Sequence, residues 1–302
     1  MPLPDDEAHR SGAGRARPLA HDWLGLCRQA AHAAREAVGG LAGTAERSVR
    51  LGEGEGGDTT LAVDQVAEDA VFREFADFGH PVLVVSEERG EVSLNGGSEG
   101  DGSVRVVVDP VDGSMNAKRG LPFACVSIAV ASGGHMSDVE VGYVAELDPP
   151  RDWWAVRGEG AFLEGVPHET ADISPQCAQP PAAAERLGPL EPGPLEVLGL
   201  ETARPALVAG AAEAIAGLEA RRLRVLGSVA AAMCLVAAGR LDAMITLREV
   251  RSVDVAAAQL IVEEAGGAVA LPGGDALDLS LRTRAAAARD AAILERLRAT
   301  LL

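Results

Sequence analysis

Asp109 and Asp112 stand three positions apart in the stretch RVVVDPVDGSMN, residues 105–116, directly after a run of valines. Pro110 fixes its own φ and biases Asp109 toward an extended conformation, so the strand is expected to end at Asp109. A turn over Pro110 and Val111 then brings the Asp112 carboxylate to the same side as that of Asp109, and aims the Val111 carbonyl there too. Gly113 lets a ligand approach the backbone, and the amides of Gly113 and Ser114 make a small anion nest. Comparable places are held by Glu87 and Glu88, which end the apolar run VLVVSEE, by Asp64 in LAVDQVAE and by Asp254 in SVDVAAAQ. Converging carboxylates repel one another unless a cation neutralises them, and hard divalent ions take oxygen ligands of this kind. Acid ligands and phosphate-binding amides on one loop are what metal-assisted phosphoryl hydrolysis requires.

Each segment alone has a plainer reading. D-P-x-D-G is a good turn sequence. Glu87 and Glu88 would pass as the solvated end of a strand, and Asp64 and Asp254 as N-caps or first-turn acids of the helices that follow. Only the four segments taken together favour chemistry. No cysteine or histidine is placed for nucleophilic work; His80 and His135 sit in turn-like contexts.

The elements that must position these acids follow from the apolar pattern. A helix is expected over 21–38, with Trp23, Leu26, Cys27, Ala30, Ala34 and Val38 along one stripe, and a second from near Asp64. Glycines and acids in LGEGEGGDTT separate them. PVLVVSEE and VRVVVDP read as buried strands, with RGEVSLNGGSEGDGS a surface loop between them. FACVSIAVA and DVEVGYVAEL read as a hairpin across SGGHM, and DWWAVRGEGAFLEG as two more strands. Residues 172–196 carry six prolines and mark a boundary or an irregular crossing. Beyond them strands and helices alternate: helix 205–218, strand RRLRVLG, helix SVAAAMCLVAAG, strand LDAMITL, helix 254–264, strand AVAL and a last helix near 290–301. Such alternation favours an α/β layer, whereas the first half looks more antiparallel.

The 302 residues are long for a single core, and a 47% hydrophobic content excludes a disordered chain. Four cysteines lie far apart with no C-x-x-C pair, which suggests neither a zinc site nor a disulfide framework. A net charge of −18, with Lys118 the only lysine, argues against a nucleic-acid or anionic-membrane partner. Apolar runs fall short of the roughly 18–20 residues a spanning helix needs, and the polar N-terminus lacks a signal-peptide pattern. A soluble cytoplasmic protein with a disordered stretch over 1–20 is the expectation.

In order and rough spacing, SEE, DPVDGSMN, LGSVAAAMCLVAAGRLDA and VDVAAAQLIVEEAGG resemble the inositol monophosphatase family of Mg²⁺-dependent sugar phosphatases, from about Leu24 to the C-terminus. The family's central motif, D-P-[IVL]-D-G-[ST]-x-N, is filled at every fixed position. Its downstream motif, W-D-x-A-[GA], is met with Val253 in place of the tryptophan. The resemblance implies an α/β (α+β) protein with the sugar-phosphatase fold, a five-layer α-β-α-β-α sandwich. Residues 21–147 would form an N-terminal half with the metal and phosphate motifs, and 148–302 a C-terminal half supplying Asp254 and substrate contacts.

The resemblance also implies roles. Glu87, Asp109 and the Val111 carbonyl look like ligands of a first metal, and Asp109, Asp112 and Asp254 of a second, with Glu88 the fallback for Glu87. Ser114 and Asp64 look like the pair that orients and activates water, and the Gly113 and Ser114 amides would hold the phosphate. The cofactor would be two or three Mg²⁺ ions, with Mn²⁺ as an alternative, and the assembly a homodimer. The segment ITLREVRSVD looks more similar to archaeal-type members, which act on inositol phosphates and fructose 1,6-bisphosphate; Arg248 or Arg251 would pair with a second phosphate. Ser228 falls near the family's sugar-contacting segment. Two alternatives stay open: a 3′-phosphoadenosine nucleotide phosphatase on the same fold, and a non-catalytic member acting as a regulatory or binding subunit.

Overall fold

The computed structural model describes residues 21–55, 59–98, 103–165 and 184–302. The expectation for residues 1–20, and that for the proline-rich crossing up to residue 183, lie outside the described residues. The chain begins with helices α1 (Trp23–Gly39) and α2 (Thr44–Arg47), a hairpin of β1 (Arg50–Glu53) and β2 (Thr59–Leu61), and helix α3 (Ala62–Phe78). Strands β3 (Val82–Ser86), β4 (Gly90–Leu94) and β5 (Val104–Asp112) follow, then α4 (Ser114–Arg119). A meander runs through β6 (Cys125–Ala131), β7 (Val139–Glu146), β8 (Arg151–Val156), β9 (Gly160–Gly165) and β10 (Glu185–Arg186). The remainder is β11 (Val197–Glu201), α5 (Pro205–Gly210), α6 (Ala212–Gly217), β12 (Arg222–Arg224), α7 (Val229–Ala237), β13 (Ala243–Thr246), α8 (Ser252–Glu264), β14 (Ala268–Ala270), β15 (Ala286–Ala288) and α9 (Ala291–Leu301).

Two sheets and three helical layers result. The first sheet has the order β10-β9-β8-β7-β6-β5-β3-β4 and the second β12-β11-β13-β15-β14. Alternation along the strands decides what each face meets. Val106 and Val108 of β5, with Val126, Ile128 and Val130 of β6, join the stripe of α1 and the buried side of α3 in one core. Val107, Ala129, Ala131 and Val144 point the other way, into a core shared with α7 and α8. The second sheet closes that core with Met244 and Ala287, and turns Leu198, Leu200 and Ile245 toward α6 and α9 in a third core. The layers are therefore α1/α3, sheet, α7/α8, sheet, α5/α6/α9: the expected five-layer sandwich.

The middle layer mixes alanines with larger buried residues such as Met233, Leu260 and Ile261. All nine residues of α7 are buried, as suits a helix enclosed on every side. Helix α8 lies so close to β7 that a Cβ placed on Gly142 would stand 2.4 Å from the Ala257 carbonyl oxygen.

Several expectations are corrected. The stretch read as a surface loop after Arg89 contains β4, a half-exposed edge strand pairing antiparallel with β3. LGEGEGGDTT carries the β1–β2 hairpin rather than a plain break. The helix expected over 205–218 is two short ones meeting at Ala211. The second sheet is mixed, because β15, an alanine strand with no sequence signature, runs antiparallel to both its neighbours. In the first half β3 and β5 pair parallel. The division expected after Leu147 falls between β7 and β8, which are neighbours in one sheet. Among the described residues no helix is long and apolar enough to cross a membrane.

Candidate active site

The parallel pairing of β3 with β5 sets Ser86 beside Val108, so Glu87, directly after β3, emerges beside Asp109 within β5, which runs on to Asp112 rather than ending at Asp109. Glu87 and Asp109 consequently lie close enough for each carboxyl to perturb the other. Glu88 turns elsewhere and accepts a hydrogen bond from the Thr60 hydroxyl. The Asp109 carboxylate accepts the Val111 amide at 3.0 Å, the local turn that Pro110 favours. Gly113 then adopts φ 90°, where a Cβ would also meet the Phe123 carbonyl oxygen at 2.8 Å; glycine is required on both counts. The Ser114 hydroxyl donates to the Val111 carbonyl at 2.9 Å and starts α4.

Asp64 and Asp254 occupy equivalent places on different helices. Each is the third residue of its helix and reaches back to the amide before it, Leu61 to Asp64 at 2.9 Å and Arg251 to Asp254 at 2.7 Å. The plain capping reading is thus satisfied, and the second carboxylate oxygen of each stays free of that duty. Asp64 Oδ1 is buried without a partner. Asp254 Oδ1 lies 3.4 Å from the Arg251 guanidinium, which also donates to Glu87.

Asp112 is held from across the layers. It accepts the Ser228 hydroxyl at 2.7 Å and the Ala230 amide at 2.6 Å, both from the start of α7. Ser228 additionally caps α7 through the Ala231 amide. Its hydroxyl is committed and the residue is buried, so it faces Asp112 rather than open space. Behind it stands Glu201, wholly buried at the end of β11, which accepts the amides of Leu226 and Gly227 at 3.0 and 2.8 Å. Asn116 ties the motif to the same loop, donating to the Leu226 carbonyl at 2.7 Å. Sequence reasoning missed Glu201: nothing local marks a glutamate at the end of a short strand as the anchor of a loop 25 residues later.

The acids are short of positive charge. Burial pushes the Asp64 carboxyl up to about 6, against the Leu61 amide and Ser114, which lower it. Burial also raises Glu87 and Asp112 to about 7, and raises Asp109 well above the usual carboxylate range, helped by its neighbours Glu87, Asp112 and Asp254. Every donor facing the cluster is an oxygen, from carboxylates or the Val111 carbonyl, which suits a hard divalent cation such as Mg²⁺ or Mn²⁺. The convergence of Glu87, Asp109, Asp112 and Asp254, close enough for each charge to perturb the others, fits the same group. Among the described residues, however, no three Asp, Glu, His or Cys side chains stand ready to enclose an ion.

Beside the cluster opens a cavity of about 740 Å³, in the range of small-molecule sites, with Asp112 and Asp254 in its wall. Asp64, Glu87 and Asp109 do not line it. Arg248 does, exposed and with its side chain turned to no acid among the described residues, whereas Arg251 is held by Glu87 and Asp254. Arg204 and Arg282 share this wall and escaped the sequence reading.

Comparison with known proteins shows the family and the fold. The model of the inositol monophosphatase family matches residues 22–301. A fructose-1,6-bisphosphatase/inositol-1-monophosphatase of Methanothermobacter thermautotrophicus is 35% identical over 271 residues, 87% of this chain and 89% of that protein. A protein of the same description from Thermococcus kodakarensis is 32% identical over 86% of this chain and 88% of its own length. The crystal structure of an inositol monophosphatase–fructose 1,6-bisphosphatase superposes with a TM-score of 0.73, covering 93% of this chain and all of that one at 24% identity, a likeness of fold. On the match of nearly the whole chain and on these relatives, the protein belongs to the inositol monophosphatase family.

Proposed function

We propose that the protein is a Mg²⁺-dependent phosphomonoesterase that hydrolyses inositol monophosphate, fructose 1,6-bisphosphate or both. The observation that carries this is the meeting of Glu87 after β3, Asp109 and Asp112 of β5 and Asp254 of α8 beside one cavity, with more negative charge than the surrounding protein balances. Its family and its relatives' activities point to the same reaction class, phosphoric monoester hydrolysis.

Glu87, Asp109 and the Val111 carbonyl would hold a first ion, and Asp109, Asp112 and Asp254 a second; a third Mg²⁺, or Mn²⁺ in place of Mg²⁺, belongs to the same proposal. Bound there, the ion supplies Lewis acidity to the phosphoryl oxygens and lowers the pKa of water. Asp64 takes the proton of the attacking water on its free Oδ1, and the neighbouring Ser114 hydroxyl orients that water. The Gly113 and Ser114 amides hold the phosphoryl oxygens. Water attacks phosphorus directly, the bond from phosphorus to the sugar oxygen breaks, and the sugar leaves as an alcohol after taking a proton from solvent, to which Asp64 returns its own. Cys125, wholly buried with its pKa pushed well up by that burial, takes no part. Ser228 acts through Asp112 rather than on the sugar. Arg248, free in the cavity wall, receives the second phosphate of a bisphosphate. A small polyol phosphate is the partner, with a homodimer in the cytoplasm as its setting.

Phosphate release with and without Mg²⁺, from wild type and Asp109→Asn, tests the proposal. Metal-dependent release that the variant loses supports it; a variant with full activity overturns the ligand set. Release from adenosine 3′,5′-bisphosphate in preference to both sugar phosphates would move the enzyme to the nucleotide branch.

A further inference from the structure

Arg251 is the residue that the proposed mechanism leaves unexplained. It precedes α8, and its guanidinium reaches across to the end of β3, where one Nη donates to Glu87 and lies 3.4 Å from Asp254 Oδ1. Among the described residues no other lysine or arginine pairs with Asp64, Glu87, Asp109, Asp112 or Asp254. The three side chains are nearly closed off, at 12% exposure for Arg251, 14% for Glu87 and 13% for Asp254. The other Nη of Arg251 is buried and has no acceptor. A buried donor left unmade is uncommon and costly, so the guanidinium is only partly satisfied where it rests.

We propose that Arg251 is a built-in counter-ion of the acid cluster, which occupies the Glu87–Asp254 side of the site in the metal-free protein and releases Glu87 when a divalent cation is taken up. The proposal rests on the reading of Glu87 and Asp254 as metal ligands. The two cations compete for one set of oxygens: a Glu87 carboxylate that faces a divalent ion while still gripping a guanidinium would hold two positive charges against each other at short range. Asp254 keeps its hold on the Arg251 amide in either state, because that bond is made by the backbone and by Oδ2. The guanidinium thus remains tethered at the mouth of α8. Freed from Glu87, it faces the cavity it already lines, with an unused Nη ready for an anionic oxygen. Metal and anion then favour each other's binding, although the residue that links them touches the anion and never the metal.

This role differs from that of a fixed phosphate ligand. A fixed ligand would bind an anion equally with and without the metal. An internal competitor weakens metal binding when no anion is present and strengthens anion binding once the metal has arrived.

The test is calorimetric titration of Mn²⁺ into the full-length protein without substrate, and again with saturating inorganic phosphate, at a pH of about 8.5 where protons compete little. Arg251→Gln is expected to bind Mn²⁺ roughly tenfold more tightly than wild type, the scale of one lost charge-assisted bond. Phosphate is expected to tighten Mn²⁺ binding in wild type and to do so much less in the variant. Arg204→Gln removes a charge from the same cavity wall without touching the acids, and is expected to change Mn²⁺ affinity by less than about twofold. Equal tightening in Arg204→Gln and Arg251→Gln would make the effect one of general charge and overturn the proposal, as would unchanged affinity in Arg251→Gln. Should that variant not fold, a crystal structure of wild type soaked with Mn²⁺ decides: an Arg251–Glu87 contact that survives beside the bound ion overturns it. Failure of every variant and of wild type to bind Mn²⁺ is a different result, which removes Glu87 and Asp254 from the ligand set itself.

Discussion

The Ser228 hydroxyl donates to Asp112 at 2.7 Å, joining the first residue before α7 to the last residue of β5. Asp112 therefore depends for its position on the middle helical layer as much as on its own strand. Ser228→Ala removes a charge-assisted bond and a helix cap together and is expected to destabilise the protein by about 1–3 kcal/mol. Divalent-ion affinity should fall while KM for the sugar phosphate stays near wild type. A raised KM with metal affinity intact would instead place the serine on the sugar.

Asp64→Asn keeps the shape of the residue and its backbone bond to Leu61, yet removes the base. kcat is expected to drop by roughly 10²–10⁴-fold, the usual contribution of a positioned general base. Calorimetric metal binding should be retained, because Asp64 is outside the proposed ligand set. A variant with wild-type kcat would clear Asp64 of any part in proton transfer.

Gly142→Ala is a test of packing with a functional readout. The new methyl would lie 2.4 Å from the Ala257 carbonyl oxygen, so α8 must shift away from β7. Overpacking of this kind costs about 1–3 kcal/mol. Asp254 rides on α8, so kcat/KM should fall along with Tm although Gly142 does not line the cavity. Loss of Tm with full activity would mean that α8 relaxes elsewhere.

The metal-free protein should lose stability as pH rises. Folding raises Glu87 from 4.5, and Asp112 from 3.8, to about 7 in each case. Asp64 goes from 3.8 to about 6. A group with a raised folded value binds its proton more tightly when folded, so its contribution is fully present below the unfolded values near 4. It is lost progressively up to about 7 and absent above that. Urea midpoints of metal-free protein at several pH values between about 5 and 8 check this. Divalent-ion affinity should move the opposite way and rise across the same window, since protons and cation share the oxygens. Midpoints independent of pH would show that the cluster is already ionised.

Arg248→Gln should raise KM for fructose 1,6-bisphosphate by about tenfold and leave inositol 1-phosphate little changed, as expected for one lost guanidinium–phosphate pairing. Equal effects on both substrates would indicate that Arg248 acts on the general field of the cavity.

The site was legible in the sequence where its logic is local. Asp109, Val111, Asp112, Gly113 and Ser114 lie in one stretch whose turn chemistry follows from Pro110 and Gly113, and the structure brings Glu87, Asp109, Asp112 and Asp254 close enough for their charges to perturb one another. Asp64 and Asp254 stood out because an acid opening an apolar helix is a short-range pattern. What escaped was long-range or weakly marked. The Arg251–Glu87 contact spans 164 positions and exists only because α8 docks where β3 ends. Strand β15 consists of alanines, which carry little strand preference of their own and are extended because β13 and β14 flank them. The layers themselves were anticipated through family resemblance; apolar periodicity alone gave the helices α1, α3, α7 and α8 but not which sheet each would cover.

The closeness of α8 to β7 has a consequence for how substrate enters and leaves. With the Ala257 carbonyl oxygen set against Gly142 and all nine residues of α7 enclosed, the central layer leaves little slack for the two sheets to part. Ligand exchange is then expected through the open cavity wall that carries Arg204, Arg248 and Arg282, by reorientation of individual side chains at that mouth.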